Sequence, residues 1–325
     1  MSTVFFYLPF VVVFVIVAVY AERKVSAFIQ DRYGPMETGK YGIMQTVADL
    51  LKLLQKEDIV PAGANKPLFL FAPLVIFTAV FAGFAVLPIS PSWQGAPMQT
   101  GVFLLLAIIS LDVIGILMAG WGSNNKYSLI GALRSASQII AYEIPLTISV
   151  LCVLVIVQTL DLQQISFWQG TMRGEEAYLF GIASWDIRVD QIGGFLMWNI
   201  FQVPLLIPVW IIFYITTLAE ANRAPFDLPE AESELIAGFQ TEYSGFRWSV
   251  IMLAEYAMML LVSILGAVRF FGSWNTPLVN IGTLRVGVGT TGAVGGQLAA
   301  FWAILWVGSS CMFVVFSQVW VWWRC

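Results

Sequence analysis

The chain has 325 residues, of which 59% are hydrophobic and only 11% charged, with a formal net charge of −4. That charged share is about half of what a soluble globular chain carries, and apolar runs of about 18 or more residues recur along the length. Composition therefore excludes a soluble globular domain and predicts an all-α polytopic membrane protein with no nucleic-acid partner.

There is no histidine, which removes the commonest metal ligand and the usual proton relay near neutral pH. Proton chemistry is left to carboxylates, Lys, Tyr and water. Cys152, Cys311 and Cys325 are far apart and match no metal or redox spacing, so they read as small hydrophobes.

In chain order, apolar segments are predicted near 3–20, 67–88, 101–121, 137–158, 193–217, 249–271 and 298–321, seven apparent spans in a single membrane domain over 1–325. The opening run lacks both a basic leader and a small-residue cleavage site, and reads as an uncleaved first span. Between the first two spans, "YGIMQTVADLLKLLQKEDIVP" repeats Ile43, Val47, Leu50, Leu51 and Leu54 at helical spacing, with Asp49, Lys52 and Lys56 elsewhere. This predicts an amphipathic helix over 43–56, too short and charged to span, lying at the membrane surface or on a partner. Pro73 and Pro88, and Pro204 and Pro208, predict kinks in the second and fifth spans. The connection 159–192 is polar and predicted to be a solvated loop, and the Gly- and Thr-rich stretch 282–296 a flexible one.

Lys and Arg are unevenly divided. The connections 21–66, 122–136 and 218–248, with Arg324, hold twelve of them; the opposite side holds Arg173, Arg188, Arg269 and Arg285. The positive-inside rule then places the richer side in the cytoplasm and the N-terminus outside.

No phosphate-cradling glycine loop, Cys cluster, zinc-protease motif or nucleophile elbow is present, so the chain is expected to hold no metal or nucleotide of its own. What remains is a set of ionisable groups in or beside the spans. Asp112 lies in the third span, Glu143 near the start of the fourth after Arg134 and Tyr142, and Glu255 within the sixth. A carboxylate at bilayer depth costs a few kcal/mol or more, and so faces a cavity or a partner. For Asp112, a structural pair and a functional group are equally good readings.

The acidic connection 218–248 is the densest charge in the chain, with Glu220, Asp227, Glu230, Glu232, Glu234 and Glu242 against Arg223 and Arg247. Asp227 and Pro229 look like a helix start, and capping accounts for about two of the acids at roughly 0.3–1 kcal/mol each. It leaves Glu234, a like-charge neighbour of Glu230 at i+4, and Glu220 and Glu242 unexplained. Clustered, half-buried carboxylates exchange protons near neutral pH, and proton handling is the better reading.

Three stretches, "AERKVSAFIQDRYGP", "SNNKYSLIGALRSASQIIAYEIPL" and "AEANRAPFDLPEAESELIAGFQTEYSGFRW…LAEYAMML", resemble the quinone-site membrane subunit of respiratory complex I, the H subunit of the proton-pumping NADH:quinone oxidoreductases. The resemblance runs from about residue 7 to 320. It implies a subunit between the hydrophilic arm, whose other subunits carry flavin and iron–sulfur clusters, and the pumping membrane arm. It implies quinone as substrate, no cofactor bound by this chain, and a bacterial plasma membrane. The matching chamber positions are Glu22, Arg23, Arg134, Arg223 and Asp227. The implied acidic relay is Asp49, Glu143, Glu220, Glu230, Glu232, Glu234, Glu242 and Glu255, with Tyr142 and Tyr256 beside it. No residue is implied as an electron donor, and Asp112 falls in none of the motifs. The family usually has eight spans, whereas the seventh run here ends in "FSQVWVWWRC". Two other readings are a homologous subunit of a membrane-bound hydrogenase-type complex and a stand-alone cation-coupled transporter. The second is opposed by the lack of an internal repeat and by the crowding of the acids into one connection.

Overall fold

The computed structural model describes residues 2–91, 93–170, 176, 178–182, 188–223, 225–228, 232–280, 290–292 and 297–324. Among these it is helical, and its only β features are two isolated bridges. The long elements are α1 (Ser2–Ile29), α2 (Gln45–Gln55), α3 (Lys66–Val86), α4 (Gly101–Ile109), α5 (Leu111–Gly122) and α6 (Lys126–Val157). Then come α7 (Leu162–Trp168), the single turns α8 (Val189–Ile192) and α9 (Asn199–Gln202), α10 (Leu206–Glu220), the turn α11 (Glu232–Leu235), α12 (Gly245–Phe270) and α13 (Gln297–Arg324).

Among the described residues, five units are long and apolar enough to cross a membrane: α3, α4 and α5 taken together as Gly101–Gly122, α6, α12 and α13. The 28-residue α1 and the shorter apolar α10 occupy the first and fifth of the seven apolar runs.

Boundaries depart from expectation where the chain's chemistry changes. The fourth span begins at Lys126, not near 137, because Asn125 caps it: its side chain accepts the Tyr127 backbone N–H at 2.9 Å. At 32 residues, α6 is about 48 Å long, well beyond a hydrocarbon core of about 30 Å, so its first turns project past the apolar layer. The fifth span is shorter than expected. Gly193 and Gly194 take positive φ, and the chain makes single helical turns until Pro204, so the regular helix starts only at Leu206. The third is broken at Ser110, whose hydroxyl bonds back to the Leu106 carbonyl at 2.9 Å. The amphipathic helix forms as α2, and Leu51 and Leu54 on it remain exposed.

The expected solvated loop differs in its first part. α7 is capped by Asp161 and buries Leu162, Ile165 and Ser166. Beyond it, the buried Gln169 donates to the Val268 carbonyl at 2.7 Å and accepts the Gly272 backbone N–H at 3.0 Å. Arg269, counted above as a connection charge, lies fully buried in the last turn of α12. Residues 281–289 and 293–296, most of the expected flexible stretch, lie outside the described residues, whereas Thr291 donates to Asn275 at 3.2 Å.

α12 is the central helix and packs against α1, α2, α3, α7, α10 and α13. Lipid offers no hydrophobic drive between helices, so small residues must bring backbones together. A Cβ on Gly131 would sit 2.7 Å from Gly238 Cα, so only glycine lets α6 lie directly on the acidic connection. The connections 21–66, 122–136 and 218–248 meet at one end of the bundle. There Asn65 N–H donates to the Gly122 carbonyl at 2.9 Å, Ser128 to the Phe239 carbonyl at 3.1 Å, and Tyr243 to the Phe69 carbonyl at 3.1 Å. Gly131→Ala is expected to destabilise the protein by about 1–3 kcal/mol through overpacking, read as a lower thermal midpoint in detergent. Gly308→Ala, facing open space, is the control and is expected to leave the midpoint unchanged.

Candidate functional site: two cavities on a shared wall

A cavity of about 710 Å³ opens between α1, α2, α3 and the first half of α12. Its walls are apolar, with Val15, Val19, Leu53, Phe77, Trp248 and Met252 among them, whereas Glu22, Arg23, Asp49 and Tyr256 give it a polar floor. These come from separate elements. Glu22 and Arg23 ride on α1 just past its apolar run, Asp49 is on the polar face of α2, and Tyr256 is on α12.

The floor is tightly bonded. Tyr256 donates to Glu22 at 2.6 Å, and Arg23 pairs with Asp49 at 2.5 Å, where Gln45 also donates at 3.1 Å. Arg223, 7% exposed, reaches Glu22 at 3.9 Å and lies over the Tyr256 ring at 4.4 Å. Burial works against the charge of Arg223, but Tyr256, Glu22 and Glu255 outweigh it and hold the guanidinium above its ordinary value. Arg223 therefore stays cationic.

A second, much smaller cavity of about 10 Å³ lies on the other side of that wall, with Asp112, Glu220, Asn222 and Glu255 in its lining. The partition is made of neighbours in sequence. Arg223 and Tyr256 face the large cavity's floor, whereas Asn222 and Glu255 face the small one. Gln240 donates to Glu255 at 2.5 Å. Glu143 receives the Ser110 hydroxyl and is within electrostatic reach of Glu220.

The structure thus brings Glu22, Arg23, Asp49, Arg223 and Tyr256 into one group, and Glu143, Glu220 and Glu255 into another. Tyr142 meets Phe226 edge-on at 4.9 Å beside them. Arg134 and Glu234 form a separate, exposed pair at 2.6 Å. Such a pair contributes only about 0–1 kcal/mol. Glu242 accepts from Asn125 at 2.5 Å, at the positive end of α6. Asp227 is half-buried. Glu230 lies outside the described residues, as does the side chain of Glu232. The expected start of a helix at Asp227 and Pro229 lies partly outside them too; the described turn begins at Glu232.

Sequence reasoning left Asp112 unassigned and missed the amides that hold the acids. Gln138 donates to the Ala219 and Phe226 carbonyls at 3.1 and 2.8 Å and so fixes the turn carrying Arg223. The signal for it was a polar residue at a buried helical position, as in "SASQIIAYE". Among the described residues, no group of three or more His, Cys, Asp or Glu is arranged to hold a metal ion.

The comparisons with known proteins decide the family. A family model described as NADH dehydrogenase matches residues 2–325. The chain is 54% identical over 323 residues to NADH-quinone oxidoreductase H subunit 2 of Cytophaga hutchinsonii, covering 98% of this chain and 88% of that protein. It is 50% identical over 305 residues to the NADH-quinone oxidoreductase H subunit of Chlorobium luteolum, covering 94% and 75%, and 44% identical over 266 residues to that of a Geobacillus species, covering 82% and 72%. The chain belongs to the NADH dehydrogenase family.

Arg223→Met leaves Glu22 buried with less counter-charge and is expected to destabilise the protein by about 3–5 kcal/mol. Adding Glu22→Gln should recover part of that loss. The check is the thermal midpoint of the single and double variants; equal losses in both would break the link between the two residues.

Proposed function

We propose that this chain is the membrane subunit of respiratory complex I that walls part of the quinone chamber and relays protonation toward the pumping membrane arm. The observation that carries this reading is the long apolar cavity ending on Glu22, Tyr256, Arg223 and the Arg23–Asp49 pair. A quinone has an apolar tail and a head with two carbonyl acceptors. Apolar walls with a few convergent donors suit both parts. Family membership, and the names of the relatives, supply the reaction class: NADH:quinone oxidoreduction by an assembly of subunits.

Quinone reduction to quinol consumes two electrons and two protons. The electrons come from flavin and iron–sulfur clusters in partner subunits; this chain's part is to hold the quinone and handle charge. Arg23 and Tyr256 offer donors to the head, while Glu22 and Asp49 are the nearest carboxylates. Arg223 interacts with Glu22 on one side and Glu255 on the other. A change of charge at the floor therefore alters the field at Glu255, and through it at Glu220 and Glu143. In the same reading Arg134 and Asp227 belong to the chamber, and Glu230, Glu232, Glu234 and Glu242 to the acidic relay.

The hydrophilic arm docks on the charged end of the bundle. Large apolar side chains are exposed there outside the apolar runs, with Phe28 at 78%, Tyr33 at 90%, Ile59 at 60% and Leu228 at 62%. On soluble faces such a patch marks a partner surface. The excess of Lys and Arg at this end supports a cytoplasmic side with the N-terminus outside, and the bacterial relatives support a bacterial plasma membrane.

Leu253→Trp narrows the large cavity and is expected to raise the quinone KM several-fold, by about 1 kcal/mol or more of lost binding, while NADH oxidation by a soluble artificial acceptor stays unchanged. An unchanged quinone KM in the assembled complex would remove the cavity from the quinone path. Glu143→Gln or Glu234→Gln is expected to lower coupled quinone reductase activity. Wild-type reduction and pumping by both variants, in complex assembled to normal levels, would refute the relay.

A further inference from the structure

The small cavity contains a carboxylate that no motif of the resemblance marks. Asp112 sits in the first turn of α5, just after the break at Ser110, and is 8% exposed. Its Oδ1 is fully buried without a hydrogen-bond partner, and so is Oε2 of Glu220, which is 3% exposed. Both residues line the same cavity. A buried polar oxygen without a partner is rare in a folded protein and points to something that completes it. The cavity leaves about 10 Å³ for the centre of a water molecule, roughly the room needed by one water.

We propose that Asp112, Glu220 and a single water bound between them form a proton-holding station, with Asp112 as a member of the proton path. The proposal rests on the relay reading above and adds a residue to it. One water supplies the two donors that the orphaned oxygens lack. Asp112 and Glu220, with Glu255 lining the same small cavity, do not all ionise where so little water is present, so the pair holds a proton between them.

The charged and titratable groups around the pair come from three places, whereas the 238–240 turn adds only Phe239 to the lining. α6 brings Glu143, α12 brings Glu255 and Tyr256, and the turn after α10 brings Arg223 with the neutral Asn222; α3 contributes only apolar Ile76. Transfer within the station is balanced. The O–H bond of the Asp112 carboxyl breaks as the water accepts its proton, and one of the water's own protons forms the O–H bond on Glu220. The water is regenerated and the pair's total charge does not change. Ser110, two residues before Asp112, donates its hydroxyl to Glu143.

The test uses the complete complex in vesicles, with Asp112→Asn, Asp112→Glu and Glu220→Gln compared with the native protein. Quinone reductase rate, proton translocation and redox-induced infrared difference spectra are measured. Asp112→Asn is expected to slow coupled turnover on the order of tenfold or more and to delete one protonated-carboxyl band. Asp112→Glu should restore most of the rate with the band shifted. If Asp112→Asn works at the native rate while Glu220→Gln is slowed, the station is wrong and the relay stands. If both work at the native rate, the relay reading falls with it. A slowed Asp112→Asn that keeps every carboxyl band makes Asp112 a packing residue and overturns the proposal. Should Asp112→Asn not assemble, an unshifted band in Asp112→Glu overturns it as well.

Discussion

The guanidinium of Arg223 is the constraint around which the charged end of the bundle is arranged. A cation taken out of water costs several kcal/mol unless charge and hydrogen bonds replace the lost hydration. Here the replacement comes from three directions: the Glu22 carboxylate on α1, the face of the Tyr256 ring, and the charge of Glu255 on α12. That requirement joins the end of α10 to α1 and α12 at one point. It also fixes which way their neighbours face, because Asn222 and Glu255 are thereby turned toward the small cavity.

Amides and glycines do the remaining positioning. Gln138 reaches from α6 to two carbonyls of the turn that bears Arg223, and Gln240 and Asn125 each hold one carboxylate by a side-chain N–H. A neutral amide N–H orients a carboxylate by donating to it, and adds no charge of its own. A lysine or arginine in the same place would fix the ionised form. Glycine at 131 lets the acidic connection lie against α6 closely enough for Ser128 to bond it.

The apolar runs were legible in the sequence because lipid demands about 20 consecutive nonpolar residues and little else imitates that pattern. Their ends were less legible. Residues 126–136 are too polar to register as part of a span, yet they continue α6 because Asn125 caps it, the acidic connection covers Gly131, and Ala132 packs on Gly120 of α5. The fifth run read as one segment from composition, but two glycines and Pro204 break it into turns before Leu206. For the site, the motifs marked most of the groups that meet. They did not divide them between two cavities, because adjacent residues such as Glu255 and Tyr256 look like one feature in sequence and face different sides in space. Asp112 was visible as a charge in a span, but its relation to Glu220 depends on a contact across 108 residues, which no local pattern encodes.

A wall of this kind is an economical coupling element. The two cavities differ sharply in size, about 710 against 10 Å³. The larger suits a bulky apolar molecule, and the smaller suits water and protons. No substrate needs to pass between them for one to sense the other. Coulomb interactions across a few ångströms of poorly hydrated protein are much stronger than in water, and Arg223 interacts with acids of both groups. In the proposed relay, charge changes beside the floor reach Glu255 through the cation they share. The absence of histidine fits this proposed division of labour: arginine would keep the wall's charge constant, and the carboxylates behind it would be the groups that change theirs.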